Sequence, residues 1–437
     1  MPGGSDERRV PRALIGTLLL VAVVGAALAW AFLTPPDGGD VGGRPSNAAG
    51  SSSAVNGSAS PESSASAGAS PMPEPTAAPP EVTTVVGYGS RVQGGAGGPV
   101  AEVATSEQLV DALLASGPRI VRFDVPDTGA TFTIPEVSIL EGELTIDGST
   151  AAGPVTIRGF VRISASELVV QHVRFRPGDQ VVGNPDDIDG LTINGRTDAV
   201  RDIVLNHVSM SWGPDVGGLT ILGDVADVTV QYSIMGPGLS ASTHSESGEG
   251  GGHAYAANVA EQLGGHAQRI TFYRNLFISS DKRGPAVQGA ECVDLVENTH
   301  YNFGDDSANG NPRSLNVVNG WYRSGPLRQT TNLWRTQEWK DDGSRDDSVY
   351  IAGNVSDGFE ATIDAPEAAL ARDPRCGGLS VTPASAEDGH RAVLEMAGAT
   401  LPIRDQVDDQ LIADVRNRQG TWWNGEGFPP PNPFWPY

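Results

Sequence analysis

The residues best suited to chemistry lie in three short stretches. Asp186, Asp187 and Asp189 crowd their carboxylates into NPDDIDGLTI, and Asp215 follows in SWGPD. Like charges this close raise one another's pKa unless a cation neutralises them, and a hard, oxygen-seeking ion such as Ca²⁺ would do so. The plainer alternative is aspartate as a turn former in a solvated loop. Lys282 and Arg283 stand in SSDKRGPAV, directly after the run ITFYRNLF. Cations facing a metal-loaded carboxylate cluster would make a site for a carboxylated sugar. His244 and His253 bracket a Gly-rich stretch, STHSESGEGGGHAYAANV, at a spacing that matches no zinc signature. His253 is a candidate substrate contact or acid, whereas His172 and His207 sit in apolar alternating runs and read as packed residues. The sequence contains no nucleophile elbow, P-loop or dinucleotide fingerprint.

Something must bring these stretches together. Short β-branched runs recur from Ile120, Leu144, Leu168, Ile203, Val228, Ile270, Val293, Leu315 and Val349, most often about 21 to 25 residues apart. Such a period marks stacked units, each too small to bury its own apolar face. Each run alternates apolar and polar residues, as a strand with one buried face does. The expectation is a solenoid of short strands whose longer insertions fall on one side and build a binding face. If successive coils align, Asp215 lies beside the first acidic cluster and Arg283 projects on the same flank. Asn275, Asn298 and Asn319 occupy similar places in consecutive units and are expected to stack as an amide ladder. Solenoid ends need caps. Thr105 to Ser116 offers a helix with a Thr-x-x-Gln capping box and Leu109, Leu113 and Leu114 on one face. Val407, Leu411, Ile412 and Val415 form a similar stripe near the far end, with Gly420 as its stop.

Lys and Arg number 29 against 53 Asp and Glu, a net charge of -24, which repels nucleic acid and anionic lipid. An acidic substrate would need local cations or a metal. Arg8, Arg9 and Arg12 precede an uncharged stretch from Ala13 to Leu33, long enough for a signal peptide or an uncleaved membrane anchor. The expected organisation is therefore an export segment over 1–34, a Ser/Ala/Pro/Gly-rich disordered stalk over 35–82 and a monomeric extracellular body over 83–437. Cys292 and Cys376 could pair in that oxidising milieu. The aromatic, Pro-rich tail TWWNGEGFPPPNPFWPY would wrap the body or stack on sugar.

The ordered segments VGYGSRVQGGAGG, LTIDGSTAAGPVTIRG, VVQHVRFRPGD, IVLNHVSMSWGPD, VTVQYSIMGPGL, NLFISSDKRGP and VENTHYNFG together resemble the pectate lyase-like proteins of polysaccharide lyase family 1. The resemblance implies a right-handed parallel β-helix and Ca²⁺-dependent cleavage of polygalacturonate by β-elimination. It places the metal aspartates at Asp187, Asp189 and Asp215 and the proton-abstracting arginine at Arg283. Guanidinium is a poor base at neutral pH, so an alkaline optimum is expected. Three positions depart from the family pattern. Its second motif arginine is Ala286 here, a further carboxylate is Leu219, and a substrate-binding lysine is replaced by Gly250. Two alternatives follow: a glycan-binding or structural β-helix, and a glycosidase working through Asp187 and Asp189.

Overall fold

Alternating β-branched residues fit a pleated surface with one buried side, and the chain stacks them coil upon coil. A computed structural model describes residues 84–179, 183–246, 253–328, 330–337 and 348–420 and the backbone of 423–424. The export segment, the stalk, Gly250 and most of the aromatic tail lie outside the described residues. Those described belong to the compact unit Pro75–Tyr437. Among them no helix is long and apolar enough to cross a membrane.

Three parallel ladders form the body, a parallel β-helix. The first climbs from Val100–Val103 through Arg119–Phe123, Leu144–Asp147 and Leu168–Gln171 to Leu315–Val318 and Val349–Ala352. The second runs from Val137–Ile139 and Val161–Ile163 through Tyr255–Ala260, Ala286–Gln288 and Asn309–Asn311 to Thr362–Asp364. The third is nine-stranded, from Ala130–Thr133 to Val355–Asp357. Leu191–Asn206 and Val216–Gln231, 16 residues each, pass from the second ladder into the first.

The expected repeat is visible in the register. Leu144, Leu168, Ile203, Val228, Ile270, Val293, Leu315 and Val349 stand one above another and are all 0% exposed. Burying each such side chain contributes about 1.5–3 kcal/mol. Ile120 is one residue out, because Arg119 faces Leu144. The Arg119 guanidinium instead donates to the carbonyls of Ala112 and Leu113, at the negative end of helix α1, Ser106–Leu114. That helix has the expected Thr105–Gln108 capping box and buries Leu109 and Leu113. Leu114 is 52% exposed, since one residue along a helix turns the side chain by about 100°.

The amide ladder is real but differs from the expected one. Asn298 Oδ1 accepts from the Asn275 backbone N–H and side-chain amide, and Asn275 Oδ1 accepts from Ser233 N–H. The next rung is Gly320, not Asn319, and its N–H donates to Asn354. Asn319 precedes the rung in the left-handed conformation, as Arg274 and Glu297 do in the coils below. His172 and His207 are packed as expected, stacked at 4.7 Å between ring centroids, with Tyr232 following at 5.1 Å.

Two further helices, α2 over Ala386–Met396 and α3 over Gln406–Asn417, lie against the flank. The stripe of Leu411, Ile412 and Val415 packs on Ile234, Leu276, Ile278 and Tyr301 of the third ladder. It therefore covers a side of the solenoid rather than its far end. The helix stops at Arg418, left-handed at φ 55°, before the expected Gly420. An ion quartet docks it. Arg174 Nε lies 3.3 Å from Asp405 and 3.2 Å from Asp408, Arg176 pairs with both, and the two arginines and Asp408 are buried. Cys292 and Cys376 form a disulfide, with Cα atoms 5.6 Å apart.

Candidate active site

Every candidate residue falls in the same connection of its coil, the one that leaves the third ladder and enters the second. These connections cover 176–190, 211–215, 236–254 and 279–285. They carry, in turn, the acidic cluster, Asp215, the two histidines, and Lys282 with Arg283. Because coils stack in register, connections far apart in sequence become neighbours. Asp215 N–H donates to Ile188 O, Gly190 N–H to Val216 O, Asp281 N–H to Ala254 O and Ala257 N–H to Arg283 O. The approach is close enough that a Cβ on Gly190 would sit 2.5 Å from Gly218 O. This is the physical content of the expected alignment.

The aspartates are placed unequally. Asp189 is 3% exposed, its oxygens taken by the Thr192 hydroxyl at 2.5 Å and Val216 N–H at 3.2 Å. Burial pushes its pKa above the usual carboxylate range. Burial, then the charge of Asp189, push Asp215 up as well. With 26% of its side chain open, water tempers that shift. Asp186 goes the other way, because Ser245 N–H donates to its carboxylate at 2.7 Å. Asp187 is exposed and accepts from Asn184.

Flat side chains form a column beside Asp215. The buried rings of His244 and His253 stack at 3.7 Å, Tyr255 follows His253 at 4.1 Å, and Arg283 lays its guanidinium 4.0 Å from the Tyr255 ring centre. Lys282 Nζ stands 5.7 Å from the same ring. His253 Nδ1 lies 2.9 Å from the Asp215 carbonyl oxygen, and burial followed by the neighbouring His244 lowers its pKa to about 3. Burial lowers His244 too, so both imidazoles are neutral near pH 7. Arg283 makes no ion pair among the described residues. Its backbone is left-handed at φ 61°, as it is at Arg274, Glu297 and Asn319 elsewhere in the coils.

Tyr255 was not among the expected residues, although an aromatic two positions after His253 in a strand points to the same face. The departures also find their places. Leu219 pairs with Leu191 and Ala257 and is buried in the main core. Ala286 is buried between Asn258 and Asn309 on the second ladder.

Calcium fits this arrangement poorly. The ion takes six to eight oxygens, yet Asp189 is already engaged by two donors, Leu219 belongs to the core, and Asp215 faces imidazole nitrogens. The donors that do converge are those of Asp215, His244 and His253, all within 4.8 Å of one another.

No family model matches the sequence, and no curated protein is significantly similar to it. Solved structures do match. One is a pectate lyase from a study of its substrate specificity and anti β-elimination mechanism, with TM-score 0.51 and 14% identity over 72% of this chain and 96% of that one. Another is a polygalacturonate lyase fused to a self-assembling amphipathic peptide, with TM-score 0.51 and 14% identity over 73% and 98%. The body thus has the parallel β-helix fold of pectate lyases.

Proposed function

We propose that the chain is an extracellular polysaccharide lyase that cleaves pectate or a related uronate polymer by β-elimination at the connections carrying Asp215 and Arg283. The observation that carries this reading is Arg283 itself, seated on Tyr255 beside Asp215 with its guanidinium unpaired among the described residues. Several other arginines are held by carboxylates, as Arg335 is by Asp305, Asp306 and Asp364, or by backbone carbonyls, as Arg119 is. The likeness to solved pectate and polygalacturonate lyases supports the substrate class.

In this reading Lys282 holds the uronate carboxylate, which stabilises the charge that develops when the C5 proton leaves. Arg283, as neutral guanidine, takes that proton, the C5–H electron pair closes the C4–C5 double bond, and the C4–O bond breaks with its oxygen taking a proton from water. No step is assigned to calcium. Guanidine is protonated below about pH 12, so the rate rises through the alkaline range. Raised pKa values at Asp189 and Asp215 limit the repulsion a polyanion meets at neutral pH. The buried Ala286 and Leu219 favour a second reading, a binding protein that has lost its subsite charges.

Incubation of the full chain with polygalacturonate, at neutral and alkaline pH, separates the two by product mass. The lyase reading expects fragments with an unsaturated, ultraviolet-absorbing end, absent with Arg283→Ala. Binding without fragments supports the second reading, and saturated ends overturn both.

A further inference from the structure

Asp215, His244 and His253 bring one carboxylate and two imidazoles into a single space, a donor set unlike that of an alkaline-earth site. His244 Nε2 lies 3.7 Å from Asp215 Oδ1, and His253, whose Nδ1 lies 3.3 Å from the same oxygen, offers Nε2 rather than Nδ1 as its donor. With Nδ1 of His253 directed at the Asp215 carbonyl oxygen, the lone pair sits on Nε2, and Glu246 Oε2 is 3.5 Å from that atom. We propose that these three residues, with Glu246 as a fourth donor, bind a borderline divalent transition ion of the zinc class.

Imidazole suits zinc, copper and nickel, whereas calcium takes oxygens. Tetrahedral zinc with bonds of about 2.0 Å needs donor–donor edges of about 3.3 Å, so separations within 4.8 Å close by about 1.5 Å at most. The imidazoles now lie nearly parallel, 15° between planes, and His244 Nδ1 accepts Glu246 N–H at 3.0 Å. Ligation therefore turns the His244 ring about its Cβ–Cγ bond and releases that hydrogen bond. An ion here would also neutralise Asp215 beside Asp186, Asp187 and Asp189, four carboxylates whose nearby cations are Arg283 and the Glu136-paired Arg162.

The remaining histidines are poor competitors. His172 and His207 are stacked together, His300 lies between Phe277 and Tyr322, and His390 lies on Trp321. His266 is 57% exposed beside Glu261 and serves as the control.

The test uses the full chain without a polyhistidine tag, stripped with chelator and titrated with Zn²⁺, Co²⁺ and Ca²⁺ by calorimetry, visible absorption and thermal shift. One Zn²⁺ per chain is expected, with tetrahedral Co²⁺ bands and no response to millimolar Ca²⁺. His253→Ala, His253→Gln and His244→Ala each weaken Zn²⁺ at least about 100-fold, the upper range for disturbing a ligand's support. His266→Ala leaves affinity unchanged, and circular dichroism confirms that the variants fold. Calcium binding in preference to zinc, zinc affinity that survives the His244 and His253 variants, or no zinc binding overturns the proposal. None of these outcomes depends on lyase activity, so the site and the reaction fail separately.

Discussion

Arg174 and Arg176 meet Asp405 and Asp408 as two cations against two anions, whereas Asp186, Asp187, Asp189 and Asp215 meet the half-buried Arg283, an Arg162 that already pairs with Glu136, and two imidazoles. In the quartet, the arginine charges hold Asp405 below the usual carboxylate range despite its burial. In the acidic cluster, burial wins at Asp189 and Asp215. Charge that is matched where it is buried holds helix α3 to the third ladder. Charge left unmatched at a stack of connections is poised to receive something from outside.

That contrast breaks most visibly at Asp408. Asp408→Ala leaves two buried guanidinium groups to share Asp405 alone, and urea denaturation should show a loss of about 3–5 kcal/mol, the cost of removing one partner from a buried ion pair. Arg283→Ala is the mirror case, because no partner is stranded. Its melting temperature should barely move, while the rate of ultraviolet-absorbing product formation falls by about 100-fold or more, as loss of a general base does. Equal destabilisation by the two variants would erase the distinction.

The two regions also respond oppositely to pH. Asp405, depressed in the fold, contributes stability that is present above the ordinary carboxylate pKa and lost as pH falls. Asp189 and Asp215, raised in the fold, contribute stability present at acid pH and lost as pH rises through their folded values. Melting temperatures measured across pH should therefore fall on both sides of a mildly acidic maximum. Combining Asp189→Asn with Asp215→Asn should flatten the upper limb alone.

Smaller effects sharpen the picture. Tyr255→Leu removes the ring under Arg283, worth about 0.5–2 kcal/mol, so kcat should fall several-fold with KM nearly unchanged. Asp189→Asn keeps the side-chain shape and a carbonyl for Val216 N–H, and should alter stability by no more than about 1 kcal/mol, one neutral hydrogen bond.

Much of the solenoid was legible because one physical rule, burial of every second residue, repeats in each coil. Leu144 through Val349 could be aligned by that rule before any contact was known. The rule fails where a residue answers to a neighbour outside its own coil. Arg119 turns to helix α1, and Asn319 sits one place before its rung because that coil uses Gly320 there. Helix α3 shows an apolar stripe, but nothing in the stripe says that Arg174 and Arg176 will draw it to the flank. At the site, carboxylate crowding points to Asp186, Asp187, Asp189 and Asp215, and the cations Lys282 and Arg283 stand side by side in the sequence, while the separate roles of these residues are implied only by the family resemblance. The pairing of His244 with His253 was hidden, since eight residues of sequence separate rings that stack at 3.7 Å. Only stacked connections bring those rings to Asp215.

The contrast between matched and unmatched charge is tested most directly by carboxylate ¹³C NMR of the full chain, titrated from acid to alkaline pH. Asp189→Asn, Asp215→Asn, Asp405→Asn and Asp408→Asn assign the signals. The account predicts that Asp189 and Asp215 take up protons well above the usual carboxylate range while Asp405 stays ionised far below it. If all of these titrate together in the ordinary range, the acidic cluster is a solvated turn and the account is contradicted.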